Sequence, residues 1–308
     1  MMVTQQLLNE VNQVVRGKEE VTKKVLMGIL AGGHILLEDL PGVGKTTMAL
    51  AFSKAMGISF NRIQFTPDVT ASDIVGFNYF DKGQNRFVYH EGAIMANFVL
   101  GDEINRTSSR TQSALLEAME EGNVTVDGVT YELPQPFIVM ATQNPLGSVG
   151  TQPLPQAQLD RFMIKISMGY PDFESQVALL KDRQITQPLN EIKQVVDEKQ
   201  LITLKQQVQN IHIDETLLIY ITNLTIATRE HAKILQGVSP RGAIAICQMA
   251  KAHAFLEQRT FVTPEDILAI WKDTCVHRLV IHQGNQSASD LLEEITHNIP
   301  SPDEQLLQ

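Results

Sequence analysis

The 308-residue sequence has few of the features that mark secreted or membrane proteins. It contains only two cysteines, Cys247 and Cys275, and their spacing matches neither a metal site nor a disulfide scaffold. We therefore predict a reducing, cytoplasmic setting. No run approaches the roughly 20 apolar residues that a membrane helix needs. The N-terminal residues lack the basic start and apolar run of a signal peptide, so we expect no membrane insertion.

Aromatic residues and positive charge are also scarce. Aromatic residues make up 6% of the chain and hydrophobic residues 43%, so the core must be mainly aliphatic, which suits an α/β or all-α protein. Lysine and arginine total 25 against 35 aspartates and glutamates, a net charge of -10. Because an acidic chain repels phosphate backbones, this balance argues against general nucleic-acid binding, although it leaves room for a local basic site.

Short apolar runs separated by helical patterns fill the first half of the chain. We interpret five of these runs as strands, at residues 34–38, 60–65, 98–103, 137–143 and 162–168. Their alternation with helical segments predicts a mostly parallel sheet with helices on both faces. Two hairpins are also predicted, at 76–90 around Lys-Gly and at 124–133 around Asp-Gly.

Helical periodicity replaces these runs after residue 171, where we predict a domain boundary. Residues 1–170 would form an α/β domain, and residues 171–283 a smaller all-helical domain without strands. Ser239 is the predicted N-cap of one helix, and Thr263 begins a capping-box pattern at another. The polar residues 284–308 are predicted to form a loosely held tail.

The stretch LEDLPGVGKTT, residues 37–47, has the pattern and the context of a phosphate-binding loop, because it follows a strand and opens a helix. Gly42 and Gly44 would let backbone N–H groups converge, and the helix N-terminus would add partial positive charge. Lys45 could then reach the β and γ phosphates, while the Thr46 hydroxyl could bind Mg²⁺. The alternative is an ordinary glycine turn before a helix. The flanking strand and helix favour the phosphate-binding loop over that alternative.

One residue departs from the general phosphate-loop pattern GxxxxGK[ST]. Asp39 stands where that pattern begins with glycine. A carboxylate pointing inward would repel a triphosphate, so we expect the Asp39 side chain to point away from the loop and to start the turn. Asp tolerates left-handed backbone geometry better than most residues, which would suit that position.

Two carboxylates and an amide end the neighbouring strands. Asp102 would hold Mg²⁺ through its water shell, and Glu103 would orient and polarise the attacking water. A solvated strand end is the alternative interpretation of this pair. Asn144 follows the next strand, at the edge where ligands of open α/β sheets bind, and could contact the γ-phosphate or the water. Before Pro145 it could instead be a turn residue.

Four motifs resemble the MoxR family of AAA+ ATPases, of the helix-2-insert type. They are DEINRTSSRTQSALLEAMEEGNVTVDG (102–128), ATQNP (141–145), LPQAQLDRFMIKI (154–166) and SPRGA (239–243). The resemblance extends from about Val14 to about Arg278. It implies an AAA+ P-loop NTPase domain, with a parallel five-stranded sheet flanked by helices, followed by a smaller all-α lid domain.

The resemblance also implies roles that spacing alone does not give. Asn144 would be the sensor 1 residue, Arg161 an arginine finger acting on a neighbouring subunit's ATP, and Arg241 the sensor 2 residue. The hairpin insert at about 76–90 would face the pore of a ring. Alternatively, Arg161 could pair with Asp160, Arg241 could be a solvated first-turn residue, and the hairpin aromatics could pack locally.

The complete predicted site combines both lines of argument, with ATP and Mg²⁺ as the cofactors. The catalytic residues would be Lys45, Glu103, Asn144, Arg161 and Arg241. The nucleotide-binding residues would be Val15, Gly17, Pro41, Gly42, Val43, Gly44, Lys45, Thr46, Thr47 and Arg241, with Val15 and Gly17 at the adenine. The metal ligands would be Thr46 and Asp102.

We therefore predict an ATPase that forms a homo-oligomeric ring, expected to be a hexamer. It would remodel, mature or assemble a protein client, and the resemblance suggests clients with von Willebrand factor A domains. One alternative is a DNA-dependent AAA+ motor, against which the acidic balance counts. The other is a nucleotide-gated scaffold with little hydrolysis, which the intact Asp102-Glu103 pair disfavours.

Overall fold

The computed structural model describes residues 2–40, 42–144, 151–185, 188–284 and 286–302. Within these ranges the chain forms helices α1 Val3–Val14, α2 Glu19–Leu30, α3 Lys45–Ala55, α4 Ala71–Val75, α5 Ser109–Glu121, α6 Gln156–Leu159, α7 Phe173–Ile185, α8 Glu198–Gln209, α9 Glu215–Glu230, α10 Pro240–Leu256, α11 Pro264–Cys275 and α12 Ala288–Asn298. Short 3₁₀ helices span Ile104–Arg106, Pro188–Asn190 and Val276–Arg278.

The strands of the same ranges are β1 Ile35–Glu38, β2 Phe60–Gln64, β3 Gly76–Asp81, β4 Arg86–Glu91, β5 Phe98–Asp102, β6 Asn123–Val126, β7 Val129–Glu132, β8 Ile138–Gln143, β9 Ile164–Ile166, β10 Ile234–Gln236 and β11 Val280–Ile281. Each of the five predicted apolar runs contains one strand of the largest sheet. The last is the shortest, because only three residues of the run 162–168 join the sheet.

The central element is a five-stranded sheet in the order β2-β5-β8-β1-β9. Strand β5 pairs in parallel with β2 and with β8, and its first four residues are buried. Because parallel strands end at one edge of a sheet, the residues that follow β1, β5 and β8 meet at that edge. The predicted parallel sheet flanked by helices is confirmed.

Both predicted hairpins are present. Strands β3 and β4 pair antiparallel from Gly76 opposite Glu91 to Asp81 opposite Arg86. Strands β6 and β7 form the second hairpin, with Asp127 at φ 50° and Gly128 at φ 80° in its turn. Residues of this kind in left-handed conformations are what a tight two-residue turn requires.

The chain divides into two compact units, and neither is continuous in sequence. One comprises residues 1–24, 36–154 and 167–202, and the other residues 25–35, 155–166 and 203–308. The single boundary predicted near residue 171 does not match this division. A linear reading of periodicity cannot show that the chain passes between the units more than once.

The second unit contains the predicted helical lid, with two corrections. Strands β10 and β11 pair antiparallel, so the prediction of no strands after residue 171 is wrong for residues 234–236 and 280–281. Their pairing is too short to leave a period-two pattern in the sequence. The helical caps are as predicted: the Ser239 Oγ accepts a hydrogen bond from the Gly242 N–H at 3.0 Å, and Thr263 and Asp266 form a capping box.

The prediction of a loose C-terminal tail is wrong for residues 288–298, which form α12. Leu291, Leu292 and Ile295 are buried, and Ser287 and Asp290 form a capping box at its start. Helix α12 contacts α9 and α11 of the same unit. Only these three apolar residues of the polar segment are buried, so the composition of the segment did not indicate a packed helix. None of the helices within the described ranges is long and apolar enough to cross a membrane.

Candidate active site

The phosphate-loop residues adopt the backbone that an anion-binding loop requires. Gly42 has φ 86° and Gly44 φ 102°, and Gly44 is the N-cap of α3 without a side-chain cap. A β-carbon on Gly42 would meet no atom within 4 Å, so conformation and not space demands glycine there. The N–H groups of the first turn of α3 are therefore available to a ligand. Val43, Thr46 and Thr47 belong to this loop and turn, whereas Pro41 lies outside the described residues.

The Lys45 ammonium group lies over the loop that precedes it. Its Nζ donates hydrogen bonds to the carbonyl oxygens of Asp39, at 2.9 Å, and Leu40, at 3.1 Å. Burial lowers the pKa of Lys45 below its ordinary value, and the carboxylates of Asp39, Asp102 and Glu103 act in the opposite direction. The ammonium therefore sits among three acids at the mouth of the loop.

The Asp39 side chain is buried and points toward the residues that follow β9. Its carboxylate accepts hydrogen bonds from the Ser167 Oγ at 2.8 Å, the Met168 N–H at 2.5 Å and the Gly169 N–H at 3.0 Å. These bonds join the carboxylate to the residues that follow β9, although Asp39 also lines the cleft described below and its charge acts on Lys45. The expected left-handed backbone is wrong, because positive φ among the described non-glycine residues is confined to Asn85, Glu103, Asp127 and Gln258.

Asp102 ends β5 with both carboxylate oxygens engaged by the protein. Its Oδ1 accepts a hydrogen bond from the Thr142 hydroxyl at 2.7 Å. Its Oδ2 pairs with the Arg62 guanidinium at 2.7 Å, an ion pair in which the Arg62 side chain is 46% exposed. One carboxylate oxygen thus accepts a hydrogen bond from β8, and the other pairs with an arginine side chain that lines the cleft.

Glu103 has an unusual backbone conformation, at φ 58° and ψ 49°. Non-glycine residues in this left-handed region are uncommon and often lie at functional sites. Its N–H donates to the Thr142 hydroxyl oxygen at 2.9 Å, and its Oε2 accepts from Arg106 at 2.7 Å and from Gln64 at 3.3 Å. At Glu103 the backbone therefore departs from the extended path of β5, which ends at Asp102.

A cleft of about 380 Å³ lies over these groups. It is lined by Asp39, Gly42, Gly44, Lys45, Thr46, Thr47, Arg62, Gln64, Asp102, Glu103 and Asn144. Asn144 follows β8, and its carbonyl oxygen accepts a hydrogen bond from the Asn105 side chain at 3.3 Å. The structure therefore gathers the predicted loop, acid and amide residues around one volume.

Of the two residues predicted at the adenine, Gly17 lies beside the segment that begins α7. Val15 is buried at the end of α1, and Gly17 has φ 69°. A β-carbon on Gly17 would lie 2.2 Å from the Ser175 Oγ, so the Ser175 side chain packs directly against the Gly17 backbone. The neighbouring Lys18 Nζ donates to the Tyr170 carbonyl oxygen at 2.7 Å.

The two arginines with predicted roles lie in the second unit. Arg161 follows Asp160 at the end of α6, and Arg241 is an exposed residue in the first turn of α10. The Asp160 carboxylate accepts a hydrogen bond from the Ser239 hydroxyl at 2.7 Å and pairs with the buried Arg278 Nε at 2.9 Å. The segments that carry Arg161 and Arg241 are thus joined through Asp160.

Sequence reasoning missed two residues that line the cleft, Arg62 and Gln64, and two that form hydrogen bonds with its acids, Arg106 and Thr142. Gln64 lies opposite Asp102 in the register of β2 and β5, which brings the polar end of β2 to the same edge. Thr142 is fully buried within an apolar strand, and that one hydroxyl in the run FIVMATQ was the available signal. Arg62 and Gln64 are brought to this edge by the register of β2 against β5, which no local sequence pattern gives.

The fold and the cleft define a P-loop ATPase, and comparison with known proteins assigns its family. Residues 34–164 match the ATPase family associated with various cellular activities (AAA), and residues 226–296 match the AAA lid domain. The lid match includes most of α12, in agreement with its packing.

Two relatives and one solved structure cover nearly the whole chain. An uncharacterised Bacillus subtilis protein, YeaC, is 45% identical over 96% of this chain and 92% of its own. Chaperone MoxR1 of Mycobacterium tuberculosis is 37% identical over 88% of this chain and 74% of its own. A crystal structure of a Cytophaga hutchinsonii protein is 36% identical, with a TM-score of 0.91, over 98% of this chain and 95% of its own. The chain belongs to the MoxR family of AAA+ ATPases.

Proposed function

We propose that this ATPase couples Mg²⁺-dependent ATP hydrolysis in the described cleft to the remodelling of a protein client. The observation that carries the proposal is the convergence of Lys45, Thr46, Asp102 and Glu103 on one volume beside an open helix N-terminus. Phosphoryl transfer needs mainly positioning and charge stabilisation, and these residue types supply both.

Each residue has a role that follows from its position. The loop N–H groups and Lys45 hold the phosphates, and Lys45 must exchange its bonds to the Asp39 and Leu40 carbonyls for phosphate oxygens. Glu103 orients and polarises the attacking water. Asn144, at the end of β8, lies where it can contact the γ-phosphate or that water.

The oxygen donors of the cleft fit a magnesium ion. Thr46 and Asp102 are the ligands we assign, because their hydroxyl and carboxylate groups both belong to residues that line the cleft. When bound, Mg²⁺ neutralises phosphate charge. Arg62 pairs with the Asp102 carboxylate and offsets its negative charge.

A protein client is supported by the hairpin of β3 and β4. Four of its aromatic side chains are exposed by 44–72%, namely Phe77, Tyr79, Phe80 and Phe87. Phe80 and Phe87 contact edge to face at 5.4 Å, so the rings also pack on each other. Exposed apolar groups of this kind mark interaction surfaces. The name of the MoxR1 relative is that of a chaperone, and we propose clients with von Willebrand factor A domains on the resemblance alone.

The substitution Glu103→Gln tests the hydrolytic part of the proposal. It keeps the size of the side chain and removes its charge, so nucleotide should still bind while turnover falls by about 10²–10⁴-fold. Phosphate release and nucleotide affinity are measured on the same preparation. Lys45→Ala is the control that should lose nucleotide affinity as well. Unchanged turnover in Glu103→Gln would refute the role of Glu103.

The same variant tests the client part. With ATP bound and hydrolysis blocked, Glu103→Gln should retain its client in a pull-down from native lysate, whereas Lys45→Ala should not. An identified client must then bind again from purified components in an ATP-dependent way. ATP-independent recovery of the same proteins with both variants would contradict client remodelling.

A further inference from the structure

The residues that follow β9 run along the first unit from the phosphate loop to the N-terminal helices. We call residues 167–175 the connector. Its beginning is bonded to the Asp39 carboxylate. Its middle is bonded to Lys18 through the Tyr170 carbonyl oxygen, and its end packs on Gly17 through Ser175. One short segment therefore contacts both ends of the proposed nucleotide site.

The Asp39 carboxylate is suited to hold the start of the connector. The residue is 6% exposed, and a buried carboxylate is costly unless its lone pairs are used. Three donors use them, and two are backbone N–H groups, of Met168 and Gly169, that belong to the path of the chain. Hydrogen bonds to a charged acceptor are shorter and stronger than neutral ones. The contact therefore fixes the position of the backbone as well as of a side chain.

The connector keeps its form between these two contacts. The Asp172 carboxylate accepts a hydrogen bond from the Ser175 N–H at 2.7 Å, which closes the turn that begins α7. The close approach of Ser175 to Gly17 leaves no room for a β-carbon. A displacement at Asp39 would therefore be transmitted toward Gly17 and not absorbed by a loose loop.

The described hydrogen bonds of the Asp39 carboxylate go to the connector and not to the phosphate loop. The general pattern has glycine at this position, and the loop's own geometry comes from Gly42 and Gly44. The Asp39 backbone does take part in the loop, because its carbonyl oxygen accepts from Lys45. Asp39 is thus bonded to the loop through its backbone and to the connector through its side chain.

We propose that Asp39 is a positioning residue that sets the spacing between the phosphate end and the base end of the nucleotide site. The proposal rests on the function proposed above and on the assignment of the base to Val15 and Gly17, which the family resemblance implies. With the spacing preset, a nucleotide engages both ends without first ordering the connector, and this preorganisation increases affinity. A ligand that occupies only the phosphate end gains nothing from it.

The test compares two ligands, ADP and inorganic pyrophosphate, both with Mg²⁺. In Asp39→Asn one acceptor oxygen becomes an NH₂ donor that faces the connector N–H groups. We expect the Kd for ADP to rise by about tenfold or more, because the benefit of joined sites is lost. The Kd for pyrophosphate, measured by calorimetry, should not rise, because the loop is intact and the charge removed from the cleft is one that repels the ligand.

Two further variants guard against a simple loss of folding, which circular dichroism will detect. Asp39→Gly removes the carboxylate without introducing a donor and should reproduce the selective loss of ADP affinity. Ser167→Ala removes one donor of three and should weaken ADP binding by about two- to fourfold, with pyrophosphate unaffected. If Asp39→Asn does not fold, the ADP and pyrophosphate affinities of Asp39→Gly and Ser167→Ala test the proposal in its place.

An equal loss of affinity for both ligands would overturn the proposal, since Asp39 would then only shape the phosphate loop. Unchanged ADP affinity in folded variants would overturn it too. Lys45→Ala separates this result from a failure of the proposed function, because it should weaken both ligands. If the wild-type protein binds neither ligand, or if Lys45→Ala binds both normally, the nucleotide site itself is wrong.

Discussion

At the scale of single residues, Thr142 connects the two acids of the cleft. Its hydroxyl group donates to Asp102 and accepts from the N–H of Glu103, and the side chain is fully buried. That second bond also helps to hold Glu103 in its left-handed conformation, which costs of the order of 1–3 kcal/mol. Thr142 therefore positions groups that we assign to the metal and to the water.

Replacing Thr142 by valine keeps the branched shape and removes the hydroxyl. The Glu103 N–H and the Asp102 Oδ1 would each lose a hydrogen-bond partner. We therefore expect the free energy of unfolding to fall by about 1–3 kcal/mol. Turnover should fall by about 10- to 100-fold, since each 1.4 kcal/mol of lost positioning is a factor of ten. Denaturant melts and steady-state phosphate release measure the two effects.

Thr142→Ser is the matched control, because it keeps the hydroxyl and loses only a methyl group. It should recover most of the turnover lost in Thr142→Val. Equal losses in the serine and valine variants would show that packing, and not the hydroxyl bridge, is what the position supplies.

At the scale of secondary-structure elements, the sequence predicts motifs that are continuous in the chain. It does not predict contacts that depend on how the strands pair. Residues 42–47 and the pair Asp102-Glu103 are each continuous in sequence, so their chemistry could be recognised from spacing. The roles of Arg62 and Thr142 depend on the register of β2 and β8 against β5, which no local pattern encodes. Helix α12 was missed for a related reason, because three buried residues suffice when neighbouring helices complete the core.

The start of helix α11 supplies a pH-dependent prediction. Asp266 is buried, which raises its pKa, but hydrogen bonds from Arg259, His253 and the Thr263 N–H outweigh burial and lower it from 3.8 to about 2. A carboxyl group with a depressed pKa stabilises the fold above its unfolded-state pKa and loses that contribution as the pH falls. A shift of this size is worth roughly 2 kcal/mol.

The variant Asp266→Asn should therefore be less stable than the wild type by about that amount at pH 7. The difference should remain nearly constant down to about pH 5 and shrink as the pH falls from about 4 toward 2. Urea melts of both proteins across this range measure it. A difference that stays constant down to pH 3 would show that the charge of Asp266 is not what stabilises α11.

At the scale of the whole molecule, the assembly of subunits is the central prediction. AAA+ ATPases act as rings, and we propose that Arg161 completes the site of a neighbouring subunit. Arg161→Ala should then reduce turnover by about 10³-fold while ATP still binds. Native mass spectrometry gives the number of subunits, which we expect to be six.

Mixing experiments separate action within a subunit from action between subunits. An Arg161→Ala subunit has an intact cleft, and a Lys45→Ala subunit has an intact Arg161. Rings that contain both should recover part of the activity, because the second variant supplies the arginine to the first. No recovery in rings whose mixed composition has been verified would refute an action between subunits.

The position of the Lys45 ammonium has a consequence for the heat of nucleotide binding. The carbonyl oxygens of Asp39 and Leu40 both accept hydrogen bonds from that ammonium. When Lys45 turns to a phosphate, both carbonyls must find water instead, and the measured enthalpy is the difference between the bonds made and the bonds given up. We therefore expect titration calorimetry to record less heat than the count of new phosphate contacts suggests. Breaking the two hydrogen bonds from Lys45 to these carbonyl oxygens offsets part of the enthalpy gained from the phosphate contacts.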